Sequence, residues 1–399
     1  MRILAIETSC DDTGIAILDV KNKKFTVLSN IVSSQKIHKK YGGVFPMMAK
    51  REHQANLVPV LMQSLKLAKL LNSPDDKHRV SGVSHRAKFK IVEKILERES
   101  ELLKQLQPFL KKYKKPDIDL IAVTHGPGLE PCLWVGVNFA RVLSYVWDIP
   151  LIPVNHIEAH ILVNFLSTRS DLVDRFPAVA LVVSGGHTQL ILMNGVGKYK
   201  IIGETRDDAA GECFDKCAKI LGLGYPGGPI ISQLAKELKK DIYLQNRRSS
   251  TLQVQLPRPM IRTKDYDFSF SGLKTAVLYL HKDLKNKYFY TSKYRSIVKE
   301  LCWEIQQAII DVLVKKTIKA VKDFNAKTII LGGGVSANDE LRKQLKEKIQ
   351  SDMPNTQYLI PDTALSTDNA LMIAVAGYFH RSDTKDWQKI KANANLRIS

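Results

Sequence analysis

The sequence predicts an internally duplicated α/β fold of two core-bearing domains, on three observations. The chain has 399 residues, more than one hydrophobic core usually fills. A βββαβα-like order of strand and helix patterns opens the chain and restarts near Phe176. Each half begins with a strand hairpin around a polar turn, ETSCDDTG in the first and SGGHT in the second. The expected domains are 1–150 and 151–399, with the site in the cleft between halves.

Taken in order, Arg2 to Ile6 reads as a buried strand, and Ile15 to Val20 and Phe25 to Asn30 continue a meander. Helical spacing runs from about Pro46 to Leu71. The strand DLIAVTHG follows, then a helix through Phe139 to Trp147 and the strand PLIPV. In the second half Phe176 to Ser184, Gln189 to Met193 and Tyr199 to Ile202 read as strands, and Glu212 to Leu221 as a helix. The strand TIILGGG then leads to a helix beginning near Asn338.

The stretch 73–115 breaks this order. Its centre spaces Phe89, Val92, Leu96, Leu103, Leu106 and Leu110 among charges, which predicts an inserted amphipathic helix or helical hairpin. It carries twelve basic against six acidic side chains. That suits contact with RNA or a partner protein, and equally a solvated helix covering the edge of the first domain.

Composition narrows the class. Apolar residues make up 44% and charged residues 25%, as in an ordinary globular protein rather than a disordered or membrane chain. The formal net charge of +20 favours a polyanionic partner, or reflects general lysine usage. Five scattered cysteines without a CxxC pair exclude a disulfide framework and a zinc ribbon, and fit a reducing cytosol. Cys213 and Cys217 stand four apart, as ligands on one helix face or as small packing residues. The opening MRILAIETSC lacks a signal peptide's long apolar core and no apolar run reaches membrane-spanning length, so a cytoplasmic protein is expected.

Five constellations carry chemistry. In NHIEAH, His156 and His160 share a helix face and make half a site for a divalent transition metal, with Asn155 as N-cap. Glu158 falls at neither the HExxH nor the HxxEH position and projects away from the histidine face. Glycine-rich turns at 181–190 and 331–341, each after a buried strand, let backbone N–H groups approach phosphate, or are tight turns. In ETSCDDTG, Glu7, Asp11 and Asp12 can hold metal, move a proton or simply bond within an Asx-rich turn. Asp215, in the helix after the second hairpin, can receive ribose hydroxyls. Asp368 in LSTDNALM can cap a helix or serve as a hard oxygen ligand.

Together, MRILAIETSCDDTG, PVNHIEAH, LVVSGGHTQL, AAGECFDK, YPGGP, FSFSGLKTA, GGGVSAN and STDNA resemble the universal tRNA threonylcarbamoyladenosine transferase family, bacterial TsaD type. The resemblance covers nearly the whole chain outside 73–115 and the last twenty or so residues. It implies a duplicated actin, Hsp70 and hexokinase-like (ASKHA) fold. It also implies transfer of threonylcarbamoyl from threonylcarbamoyl-adenylate to N6 of the tRNA adenosine next to the anticodon, releasing AMP. His156, His160 and Asp368 correspond to ligands of one divalent metal, iron or zinc. Val182, Val183, Ser184, Gly185, Gly186, Asp215, Gly228 and Asn338 correspond to nucleotide-binding residues, and Asp11 or Asp12 would assist proton removal. The implied partners are tRNA, a TsaB-like paralogue, a TsaE-like ATPase and the synthase that makes the adenylate. This chain departs from the family pattern at Asp12, where glutamate is common, and at Met47, also usually glutamate. Other readings compatible with the fold class are an ATP-dependent kinase and a non-catalytic scaffold of a tRNA-modification complex.

Overall fold

The computed structural model describes residues 1–71, 83–166, 172–244, 255–291 and 293–399. The chain divides into two compact units. The first comprises Met1–Ile37, Val44–Arg169 and Asp368–Ile398; the second comprises His38–Gly43, Ser170–Thr367 and Ser399.

In the first unit a meander of β1 (Arg2–Glu7), β2 (Asp12–Lys21) and β3 (Lys24–Ser34) is followed by α1 (Pro46–Leu67), α2 (Val83–Ile95) and α3 (Ser100–Lys112). Then come β4 (Leu120–Gly126), α4 (Glu130–Trp147), β5 (Leu151–Asn155) and α5 (His156–Leu162). The sheet order is β3-β2-β1-β4-β5, with β1 antiparallel to β2 and parallel to β4. Strands β1, β2 and β4 are almost continuously apolar and buried, the pattern of a sheet covered on both faces. Leu4, Ile6, Ile15, Ile17, Ile121 and Val123 share one core with α1 and α4.

The second unit repeats the plan. Its strands are β6 (Ala178–Val183), β7 (Thr188–Gly195), β8 (Lys198–Glu204), β9 (Thr328–Gly332) and β10 (Gln357–Leu359), ordered β10-β9-β6-β7-β8. Its helices are α6 (Ala210–Ile220), α7 (Gly227–Leu244), α8 (Ser271–Tyr288), α9 (Tyr294–Asp323) and α10 (Asp339–Asp352). In each sheet the meander's first strand is central and pairs in parallel with the fourth. This duplicated order is the fold class expected from the sequence.

The final helix, α11 (Ala370–Phe379), returns to the first unit. Its Gly377 meets Ala122, Ile152 and Val154, the residues of β4 and β5 that point away from α1 and α4. Three expectations are corrected here. The units do not part at residue 150: β5 pairs with β4, and α11 closes the same sheet, so 151–169 and the last segment lie in the first unit. Helix α4 starts at Glu130, with proline in its first turn, rather than near Phe139. The insert is a helical hairpin whose Val92, Leu96, Leu102, Leu106 and Phe109 lie inside the first unit's core, more than an edge cover; residues 73–82 fall outside the described residues. No helix among the described residues is long and apolar enough to cross a membrane.

Candidate metal centre and glycine-rich loops

Strand β5 delivers the histidine pair. Asn155 caps α5 as expected, its side chain accepting from the N–H groups of Ile157 (2.9 Å) and Glu158 (3.2 Å). His156 and His160 stack on one face, their rings 4.7 Å apart and nearly perpendicular. Glu158 leaves that face as predicted and meets Nε2 of His380 at 2.6 Å.

Asp368 comes from the segment before α11. The cap of α11 is Asn369, whose side chain accepts from Met372 N–H at 3.2 Å, so the capping alternative for Asp368 is set aside. Oδ1 of Asp368 instead lies 3.2 Å from Nε2 of His160 and 3.5 Å from Nε2 of His156. One ligand atom from each of the three residues falls within 4.8 Å of the others.

Glu7, a possible metal ligand by sequence, carries no signal there that pairs it with the histidines. Here it stands fully buried behind them. Its Oε2 accepts from Thr124 Oγ1 (2.6 Å) and faces Nδ1 of His156 at 3.1 Å, while Oε1 accepts from Ser9 N–H (2.5 Å). No sequence spacing signals this, because it depends on β1 and β4 being neighbours.

Burial penalises charge on His156, yet the carboxylates of Asp368 and Glu7 raise its pKa to about 9. Burial lowers that of His160, so the two imidazoles diverge. Nδ1 of His160 is buried without a hydrogen-bond partner among the described residues. Two carboxylates around two buried imidazoles form an anionic pocket that calls for a cation. Two nitrogens and one oxygen within ligation reach, backed by a carboxylate–histidine contact, fit a divalent transition ion.

Beside the centre, His53 pins the turn between β1 and β2, with Nδ1 2.8 Å from Thr13 Oγ1 and Nε2 3.0 Å from the Cys10 carbonyl. Asp11 and Asp12 lie half-buried in this turn. Burial, together with the negative charges of Asp368, Asp11 and Glu7, raises the Asp12 pKa to about 7 against the Ser34 hydrogen bond. Met47 is exposed in the first turn of α1.

In the second unit β6 and β9 run parallel and side by side, and both end in glycine turns. Ser184 to His187 close one turn: Ser184 N–H donates to the His187 carbonyl (2.7 Å), and His187 N–H donates to Ser184 Oγ (3.1 Å). Gly185 and Gly186 are exposed with open space beside them. The start of α6 docks here, Gly211 N–H donating to the Ser184 carbonyl at 3.2 Å. Gly333, at φ +84°, lies against Val183, where a Cβ would stand 2.4 Å from the carbonyl oxygen. Val182 and Val183 are buried strand residues that position this turn.

Asp215 is half-buried on α6, and its Oδ1 accepts from Gly227 N–H at 2.6 Å, fixing the start of α7. The glycine that packing demands is therefore Gly227, where a Cβ would sit 2.6 Å from that of Ala218; at Gly228 the space is ordinary. Asn338 caps α10 through Leu341 N–H (3.0 Å) and donates to Gln306 Oε1 (2.9 Å). Cys213 and Cys217, with sulfurs 4.0 Å apart, are fully buried, and their hydrogen bond to each other is the main cause holding the Cys213 thiol well above its ordinary value. They are packing residues, not metal ligands.

A family model described as TsaD, tRNA N6-adenosine threonylcarbamoyltransferase, matches residues 26–76 and 93–375. The chain is similar to a protein of that name from Persephonella marina, 39% identical over 404 residues, covering 100% of this chain and 96% of that one. A protein of the same name from Thermosipho africanus is 40% identical over 401 residues, covering 100% of both. Among solved structures it is similar to full-length HypF in its phosphate- and nucleotide-bound form (TM-score 0.49, 11% identity, covering 95% of this chain and 55% of that one).

Proposed function

Because the chain belongs to the TsaD family of tRNA N6-adenosine threonylcarbamoyltransferases, we propose that it transfers threonylcarbamoyl from threonylcarbamoyl-adenylate to N6 of the adenosine next to the anticodon in ANN-decoding tRNAs, releasing AMP. The observation that carries this reading is the triad of buried His156 and His160 with half-buried Asp368, and Glu7 behind it. A kinase has no need of such a nitrogen-rich donor set.

A divalent ion held by the triad, iron or otherwise zinc, would supply Lewis acidity toward the phosphate or acyl oxygens. The remaining work falls to the chain. Backbone N–H groups of Gly185 and Gly186, in the turn built on Val182, Val183 and Ser184, would receive the adenylate phosphate. Asp215 and Asn338 would receive ribose or base, and Gly228 would admit the nucleotide closely. The exocyclic amine is a weak nucleophile and must lose a proton as it attacks the carbonyl carbon. Asp11 or Asp12 would take that proton; the raised pKa of Asp12 suits a base. A cation at the triad would draw that pKa back down.

A TsaB-like paralogue, a TsaE-like ATPase and the adenylate synthase are the proposed partners. The test is incorporation of radiolabelled threonine into unmodified tRNA by wild type and His156→Ala, with synthase, ATP, bicarbonate and partners present. Incorporation by wild type that falls at least about 100-fold in the variant supports metal-assisted transfer, on the scale of losing a key electrostatic group. No incorporation by wild type with every partner present overturns the reading.

A further inference from the structure

A second polar site lies in the second unit, where the loop 259–267 crosses α9. It borders a cavity of about 370 Å³ lined by Ile261, Thr263 and five cations, Arg262, Lys264, Lys315, Lys316 and Lys319, with no acid among the seven.

The loop is held rigidly. Lys316 is 2% exposed, and its Nζ donates to Thr263 Oγ1 (2.8 Å), the Asp265 carbonyl (3.1 Å) and Asp265 Oδ1 (3.1 Å). All three ammonium protons are thus used to tie the loop to the helix. Arg206 bridges Asp265 and Asp267, each at 2.9 Å, and Arg258 fastens the loop's start to Glu304 and Asp311.

Charge bookkeeping then leaves an excess. Lys316 and Arg206 neutralise Asp265 and Asp267, and Lys319 pairs with Asp323. Arg262, Lys264 and Lys315 are exposed and have no ion pair among the described residues. A neighbouring cavity of about 500 Å³ shares Lys315 and Lys319 but is lined also by Asp311, Asp323 and Asp352, the last paired with Lys322 and Lys348. Positive charge is therefore uncompensated only on the loop side.

We propose that Arg262, Lys264 and Lys315 form a preorganised site for the phosphodiester backbone of RNA. Phosphate contacts fix register without reading sequence, and cations on a braced loop and on the helix that braces it supply them at low ordering cost. This inference rests on the tRNA-modifying reading and deepens it by assigning a docking contact.

The experiment compares binding of unmodified tRNA across a salt series by wild type and by the triple variant Arg262→Gln, Lys264→Gln, Lys315→Gln. A control variant, Lys198→Gln, Lys200→Gln, Lys346→Gln, removes the same charge from exposed positions outside the cavity. The cavity variant is expected to bind at least about tenfold more weakly at 0.1 M salt, with the slope of log K against log salt reduced by about 2 to 3. The control should change both much less, and all three proteins should unfold alike, since Lys316 is kept. Equal losses in the two variants would mean diffuse attraction and overturn the assignment. Unchanged affinity in the cavity variant, with wild type binding tRNA, overturns the site and leaves the enzyme reading intact. Failure of the wild type to bind tRNA overturns both.

Discussion

Nδ1 of His156 lies 3.1 Å from Oε2 of Glu7, a carboxylate wholly shielded from solvent. The contact fixes the ring and leaves Nε2 facing Asp368. In the metal-free protein the raised pKa of His156, about 9 against an ordinary 6.5, adds stability that is complete below 6.5 and lost as the pH climbs through 9. A divalent ion must displace that proton, so its affinity should rise across the same window. Glu7→Gln should weaken metal binding about 10- to 100-fold, measured by chelator competition near pH 8. An unchanged affinity would detach Glu7 from the centre.

Asp12 gives a pH slope of the same direction, from a charged form that burial disfavours. Its folded pKa of about 7 lies above the ordinary 3.8, so the folded state binds the extra proton and stability falls as pH rises between those values. Asp12→Asn should stabilise the metal-free chain near pH 8 and flatten its pH profile. Full conversion of the shift would give about 4 kcal/mol; residual contact with water reduces the expectation to about 1–2 kcal/mol. Thermal unfolding at two pH values checks this, and equal melting shifts at both would contradict it. In the transfer assay the same variant should be slowed if Asp12 takes the proton.

The glycine turns separate packing from binding. Gly333→Ala should destabilise by about 2–3 kcal/mol or more, because φ is +84° and Val183 blocks the new methyl. Gly185→Ala meets open space and should alter stability by less than about 0.5 kcal/mol while weakening nucleotide binding. Denaturant melts and equilibrium binding of AMP distinguish the two effects.

Leu106→Ala tests the insert. The side chain is fully buried in the first unit's core, and its loss should cost about 2–5 kcal/mol. A denaturant midpoint close to wild type would return the hairpin to the status of an appendage.

What the sequence made legible follows from locality. The HxxxH spacing, the Asn155 cap and the outward course of Glu158 are set by one helix, and all are present. Asp368 is read from its motif, but its separation from Asn369's capping role needs the backbone. Helix α9 carries no clean periodicity because Glu300, Glu304 and Lys316 are buried among its apolar residues, each with a polar partner. Charged letters there disguise a core helix, and α7 and α8 likewise carry no clear sequence signal. In α4, Gly136 interrupts the helical pattern for a tertiary reason: Thr8 Oγ1 lies where a Cβ would sit, at 2.2 Å. The loop cations of the second site are ordinary surface residues until Lys316, far along the chain, braces them.

The first unit is discontinuous, and its last segment brings Asp368 and α11. During synthesis this unit is therefore begun before the second and completed after it. A nascent chain can present both histidines long before it owns their carboxylate partner, and one sheet face stays uncovered until α11 leaves the ribosome. A polypeptide stopped short of Asp368 would carry an incomplete ligand set and an exposed apolar face together, so metal loading and escape from proteolysis would both depend on the segment that carries Asp368 and α11.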